Sequence, residues 1–223
     1  MKSNVIVFPG SNCDRDVAVA IKKISGSAPD MIWHKNTSLD KTDLIVVPGG
    51  FSYGDYLRCG AIASTSPIMS EVVKKANEGV PVIGICNGFQ ILIETSLLEG
   101  ALMRNSSLNF ICKDVHIKSV NTSSVFTKTS GMAKMPIAHN EGNYFASTEV
   151  LKKIKDNDQI AFKYCDEKGE VNQSTNPNGS LENIAGILND KKNVLGLMPH
   201  PERAVELSLG CDDGKYIFES VFA

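Results

Sequence analysis

The chain has 223 residues, of which 42% are hydrophobic and 22% charged, and its formal net charge is −2. That length supports one substantial core within a single domain spanning residues 1–223. The charge excludes a basic nucleic-acid footprint, and no apolar run approaches the roughly 18 residues of a membrane span.

In chain order, Asn4–Phe8 reads as a strand too short for a signal-peptide core, so a cytoplasmic protein is expected. Residues 14–25 read as a helix with Val17, Ala20, Ile21 and Ile24 on one face, capped by Ser11 or Asn12. Strands follow at Met31–Trp33 and Leu44–Val47, then a helix over 61–77, a strand at Val80–Ile85 and a helix over Asn87–Leu98. Continuous apolar strands between helices predict an α/β fold: an open, mostly parallel, doubly wound sheet flanked by helices. The second half alternates polar and apolar residues from Phe110 to Val120, which predicts an inserted antiparallel segment. Ser147 is placed to cap a helix to about Asp156; Gln159–Tyr164 is strand-like, and 172–183 is loop. Ile184–Leu188 and Val194–Met198 read as a final strand pair, and 213–221 as a helix.

The six cysteines, at 13, 59, 86, 112, 165 and 211, are irregularly spaced and form no CxxC pair. That pattern predicts free thiols in a reducing compartment and no metal site. Cys86 stands apart. It follows the strand ending at Ile85, precedes a helix, and has Gly84 and Gly88 two residues to either side. This is the spacing of a nucleophile elbow with Cys in place of Ser. The tight turn projects the side chain from the sheet, and the helix N-terminus behind it favours a thiolate and an oxyanion.

Two further segments fit that chemistry. In Leu197-Met-Pro-His-Pro-Glu-Arg203, prolines fix an extended backbone at the end of a strand, where open α/β sheets place their sites. His200 and Glu202, two residues apart, then share a face, so Glu202 can orient an imidazole that serves Cys86 as base. In Val46-Val-Pro-Gly-Gly-Phe51, the glycine pair permits close backbone approach, and Gly50 N–H with Asn87 N–H can form an oxyanion hole.

Gly84-Ile-Cys-Asn-Gly-Phe-Gln90 and Pro199-His-Pro-Glu202 together resemble the nucleophile and His-x-Glu motifs of the class I, triad-type glutamine amidotransferases. Phe8–Asp16, Pro48–Ala61, Ile137–Gly142 and Pro199–Arg203 narrow the likeness to the small glutaminase subunits of a purine-biosynthesis ligase, with Asn140 standing where that group has glycine. The resemblance implies that Cys86 attacks the glutamine carboxamide, with His200 and Glu202 completing the triad, Gly50 and Asn87 holding the oxyanion, and Gln90 contacting bound glutamine. It places His139 and Glu141 at the pocket or the partner surface. It implies a synthetase subunit as partner, with a small third subunit. ATP and magnesium are expected on the synthetase, where formylglycinamide ribonucleotide becomes the amidine, and no cofactor is expected in this chain, which lacks a phosphate-binding glycine loop. Tyr53, Asp55, Tyr56 and Arg58 are expected to face that synthetase. A stand-alone cysteine amidase or γ-glutamyl hydrolase, and a non-catalytic regulatory subunit, are the competing readings.

Overall fold

The computed structural model describes residues 1–128 and 131–222. Its first half runs β1 (Ser3–Val7), α1 (Asp14–Ser25), β2 (Asp30–Trp33), β3 (Leu44–Val47), α2 (Ala61–Ser64), α3 (Pro67–Asn77), β4 (Val82–Ile85) and α4 (Asn87–Glu94). The second half runs β5 (Ala101–Met103), β6 (Ile111–Ser119), β7 (Met132–His139), β8 (Asn143–Phe145), α5 (Thr148–Asp156), β9 (Ile160–Cys165), β10 (Ile184–Leu188), β11 (Val194–Leu197) and α6 (Lys215–Phe222).

Nine strands form one sheet in the order β2-β1-β3-β4-β11-β10-β9-β6-β7. The first five are parallel; the pairings from β11 to β7 are all antiparallel. The expected parallel sheet and antiparallel segment are both present. All residues of β3, β4, β10 and β11 are buried, as continuous apolar runs require. From β1 the chain steps outward to β2, then returns past β1 to β3 and β4. Right-handed crossovers in opposite directions put their helices on opposite faces, which is the doubly wound arrangement. No described helix is long and apolar enough to cross a membrane.

Several local expectations are corrected. No side chain caps α1: Cys13, not Ser11 or Asn12, occupies the cap position. Acidic Asp14 and Asp16 in its first turn and Lys22 and Lys23 in its last complement the helix dipole instead. The single helix expected over 61–77 is two helices. Pro67 forces Ser66 into an extended conformation (ψ 144°) and opens α3 at its first turn. Helix α4 stops at Glu94, and Ser96 turns to φ 61°. Ser147 does cap α5, accepting from Val150 N–H at 3.2 Å.

Strand β7 was not expected, and it lies at the sheet edge. Its open side is occupied by tertiary groups. Lys134 N–H donates to Asp213 Oδ2 (2.8 Å), and Cys211 Sγ donates to Lys134 O (3.1 Å). Pro136 has no N–H, and its carbonyl accepts from His200 N–H at 2.9 Å. Cys86 Sγ donates to Ala138 O across 3.7 Å. The far edge of the sheet therefore curls back onto the carboxyl ends of its central strands.

Candidate active site

Strand β4 lies between β3 and β11, so the carboxyl ends of three adjacent parallel strands meet. The chain leaving β3 carries Gly49 and Gly50, the chain leaving β4 carries Cys86, and the chain leaving β11 reaches His200 three residues on. In-register pairing of Ile85 with Leu197 fixes the offset, and Cys86 N–H donates to Leu197 O at 2.7 Å.

Cys86 adopts φ 49°, ψ −105°, a conformation that L-residues avoid, and is buried. Its flanking glycines hold that turn. A Cβ on Gly88 would stand 1.9 Å from Val47 O, and one on Gly84 would stand 2.7 Å from Gly88 O. Strand, turn and helix thus close on one another only with glycine at both positions.

His200 Nδ1 and Glu202 Oε1 are 2.6 Å apart, and both side chains are excluded from solvent. Burial opposes a charge on this imidazole. The Glu202 carboxylate, and then Cys86 and Cys13, outweigh it and hold His200 well above the ordinary histidine range. His200 Nε2 and Glu202 Oε2 have no hydrogen-bond partner. With Nδ1 committed to Glu202, Nε2 is the atom free to exchange a proton with the sulfur.

Gly49 is a part of the site that sequence reasoning missed. A Cβ there would lie 2.8 Å from His200 Cε1 and 3.4 Å from both Cys86 Cβ and Cys13 Sγ. The glycine pair therefore has two separate jobs. Gly49 leaves room for the imidazole, whereas Gly50 adopts φ 129° against the β1 loop, where a Cβ would meet Asn12 Oδ1 at 2.5 Å. The N–H groups of Gly50 and Asn87 reach no acceptor among the described residues.

Gln90 does not line the cavity at Cys86. It is buried one turn into α4, where Oε1 accepts from Asn87 Nδ2 (2.9 Å) and Nε2 donates to Glu141 O (2.8 Å). Its amide ties the elbow to the loop after β7. Asn87 extends that network: Oδ1 accepts from Ser52 N–H (3.2 Å) and Nδ2 donates to Asp55 Oδ1 (3.3 Å). Burial raises the Asp55 carboxyl above its usual range. His139 is buried, with Nδ1 against Asn105 Oδ1 (3.0 Å) and Nε2 unpartnered. Burial, then the positive charge of His200, pushes it down to about 4, so it is neutral at pH 7. Glu141 lies 4.0 Å from Arg104.

Cys86 and His200 open onto a cavity of about 70 Å³, lined also by Cys13, Gly50, Phe51, Phe110 and Arg203. A larger cavity of about 530 Å³ is lined by Glu202 and Arg203 but not by Cys86. Of the two, the smaller one brings a thiol, the imidazole of His200 and the backbone of Gly50 together; Asn87 is not among its lining residues. Of the stretch expected to face a partner, Tyr53 points inward, its hydroxyl on His34 Nδ1 (2.7 Å) and Ser66 Oγ (3.1 Å). Arg58 is held by Glu94 at 2.6 and 2.5 Å. Tyr56 and Leu57 are exposed, 87% and 70%, as are Phe51 and Phe110 at the cavity rim.

An elbow cysteine thus lies beside a carboxylate-held histidine at the carboxyl edge of the sheet, and the comparisons with known proteins show the class of protein that carries them. Residues 1–209 match the family described as the CobB/CobQ-like glutamine amidotransferase domain, and the chain belongs to that family. Two relatives carry the name phosphoribosylformylglycinamidine synthase subunit PurQ. The one from Chlorobium chlorochromatii is 57% identical over 98% of this chain and 94% of its own length. The one from Pelagibacter ubique is 54% identical over 99% and 98%. Among solved structures, that of PurLQS from Thermotoga maritima contains a chain that superposes with a TM-score of 0.87 at 44% identity, covering 99% of this chain and 97% of that one.

Proposed function

We infer that this chain is the glutaminase subunit of phosphoribosylformylglycinamidine synthase, producing ammonia from glutamine for a synthetase subunit in purine biosynthesis. The observation that carries the chemistry is the 2.6 Å His200–Glu202 pair set beside the strained Cys86 at the ends of neighbouring strands. In the assigned reaction Cys86 Sγ attacks the side-chain carboxamide carbon of glutamine, its proton having passed to His200 Nε2. The carbonyl oxygen becomes an oxyanion that Gly50 and Asn87 N–H groups receive. His200 returns the proton to the departing nitrogen, ammonia leaves, and a Cys86 thioester remains. His200 then takes a proton from water, the hydroxide attacks the thioester, and glutamate and the Cys86 thiol are restored. Glu202 holds the imidazole in the tautomer this needs and stabilises its charged form.

The partners are the PurL synthetase and PurS, the other components of the complex in which the Thermotoga maritima relative was solved. ATP and magnesium are assigned to the synthetase, and the cytoplasm is the assigned compartment. The cavity of about 70 Å³ is well below the roughly 300 Å³ at which ligand sites begin. That closed geometry, with the exposed apolar rim of Phe51, Tyr56, Leu57 and Phe110, supports a site that opens on docking and not a stand-alone hydrolase. Replacing Cys86 with Ser in the reconstituted complex is expected to abolish glutamine-dependent amidine synthesis while ammonia-dependent synthesis continues. Survival of the glutamine-dependent rate would remove Cys86 as nucleophile.

A further inference from the structure

The two N–H groups assigned to the oxyanion come from different segments, Gly50 from the loop after β3 and Asn87 from the first turn of α4. The Asn87 side chain ties those segments together. Its Oδ1 accepts from Ser52 N–H at 3.2 Å, two residues beyond Gly50. Its Nδ2 donates to Asp55 Oδ1 at 3.3 Å and to Gln90 Oε1 at 2.9 Å. A backbone donor at Oδ1 fixes the orientation of this amide, so Nδ2 has to face acceptors. Asn87 and Ser52 are buried. One residue thus supplies an N–H of its own and grips the loop that supplies the other.

That loop is strained. Tyr53, Gly54 and Asp55 follow one another at φ 55°, 71° and 52°. Residues with a side chain avoid this left-handed region, and such strain persists only where neighbours impose it. Tyr53 is held by its hydroxyl on His34 and Ser66 and by its N–H on Pro9 O (2.7 Å). Asp55 is held by Asn87, and the Cys59 thiol also bonds to its carboxyl. Directly beyond Asp55 the chain reaches the exposed Tyr56 and Leu57.

We propose that Asp55 is a positioning residue for the oxyanion hole: through the Asn87 side chain it sets where Gly50 N–H stands relative to Asn87 N–H, and it joins that geometry to the Tyr56–Leu57 surface assigned to the synthetase. Without the Asp55 acceptor, Asn87 Nδ2 keeps only Gln90, and residues 52–55 are free to relax and carry Gly50 with them. Losing one oxyanion donor lowers kcat by about 10²–10³-fold, so a displaced donor is expected to cost about 10- to 10²-fold. The oxyanion exists only after attack, so the loss falls on kcat and not on KM.

The kinetic arm of the test rests on the assigned glutamine hydrolysis. In the reconstituted complex, Asp55→Ala is expected to lower kcat for glutamine-dependent synthesis by about 10- to 10²-fold, with KM for glutamine within about twofold of wild type. Ammonia-dependent synthesis and affinity for the synthetase are expected to stay unchanged. Asp55→Asn keeps an oxygen for Asn87 Nδ2 and is expected to recover kcat to within about threefold of wild type. Cys59→Ala is expected to leave the rate unchanged. If Asp55→Ala does not fold, Asn87→Asp decides instead, because it keeps the acceptor for Ser52, removes the donor to Asp55, and is expected to show the same fall. Unchanged kcat in the folded variant would overturn the proposal, as would a loss confined to KM or to synthetase affinity. So would an Asp55→Asn variant as slow as Asp55→Ala, or an equal loss in Cys59→Ala. A second arm needs no reaction: hydrogen exchange of Ser52 N–H in the isolated chain should quicken at least about tenfold in Asp55→Ala and revert in Asp55→Asn. Unchanged exchange would also overturn the proposal. A wild-type complex that fails to hydrolyse glutamine would count against the assigned reaction, while the exchange rates would still decide whether Asp55 holds the loop.

Discussion

Gly49→Ala is the most direct test of how the triad is held. The new methyl would stand 2.8 Å from His200 Cε1. Carbon atoms in contact settle at about 3.5–4.0 Å, so the overlap is at least about 0.7 Å. The imidazole cannot slide freely, because Nδ1 is held by Glu202 at 2.6 Å and its backbone N–H by Pro136 O at 2.9 Å. Tilting the ring is the remaining relief, and it moves Nε2 relative to the sulfur. Misplacement on the order of 1 Å lowers rates by about 10²-fold, so kcat for glutamine-dependent synthesis is expected to fall by about 10- to 10²-fold. Overpacking of this kind also destabilises by about 1–3 kcal/mol. The assay compares glutamine-dependent and ammonia-dependent amidine synthesis in the reconstituted complex, beside urea unfolding of the isolated chain. A folded variant with the glutamine-dependent rate within about twofold of wild type would refute the contact as a determinant of geometry. Equal loss of both rates would point to misassembly of the complex.

Three other outcomes are expected. Glu202→Gln removes the carboxylate that holds His200 charged and in one tautomer; by analogy with other triads, kcat should fall by up to about 10⁴-fold. The raised His200 pKa stabilises the fold fully below the unfolded value of 6.5, and this contribution is lost as pH rises through the folded value. The stability gap between wild type and Glu202→Gln, measured by urea unfolding, should therefore narrow toward alkaline pH, and a gap that widens would contradict it. His139 has the opposite sign: the unfolded chain takes up its proton near 6.5, the folded chain near 4, so stability falls as pH drops between them. From pH 7 to pH 5 this amounts to about 2 kcal/mol, and His139→Gln should lose correspondingly less stability over that range. Tyr56→Ala with Leu57→Ala should weaken binding to the synthetase at least about tenfold in calorimetry, with the isolated chain's unfolding midpoint unchanged; undiminished affinity would move the docking surface elsewhere.

The elbow was legible because its requirements are local. Gly84, Cys86 and Gly88 sit within five residues, and the clash distances at both glycines show why no other residue serves. His200 and Glu202 were legible as a pair from their spacing, but not for the reason expected: the backbone read as extended is a 3-10 turn over Pro201–Arg203, with His200 just before it. The parallel half of the sheet was written in apolar runs that tertiary contacts had no reason to override. What escaped was set by long-range packing. Gly49 was read as ordinary ligand-facing backbone, and only folding brings it against the ring of His200. The Gln90 amide satisfies the typical motif, yet one of its two partners is Asn87 in the same helix and the other comes from the loop after β7, 51 residues away. Strand β7 was hidden because Pro136 breaks the usual strand signal, although an edge strand tolerates a missing N–H. Strands β5 and β8, three residues each, carry too little periodicity to be read.

The edge of β7 has a consequence for solubility. An unpaired edge strand is a template on which other chains can add, and proteins usually blunt such edges with charges or bulges. Here the blunting is done by Asp213, Cys211, the missing N–H of Pro136 and the backbone of His200 itself. The turn that positions His200 is therefore also a guard against intermolecular strand pairing. Loosening that turn, for example by exchanging Pro199 and Pro201 for glycine, should cost the protein its monodispersity as well as its activity.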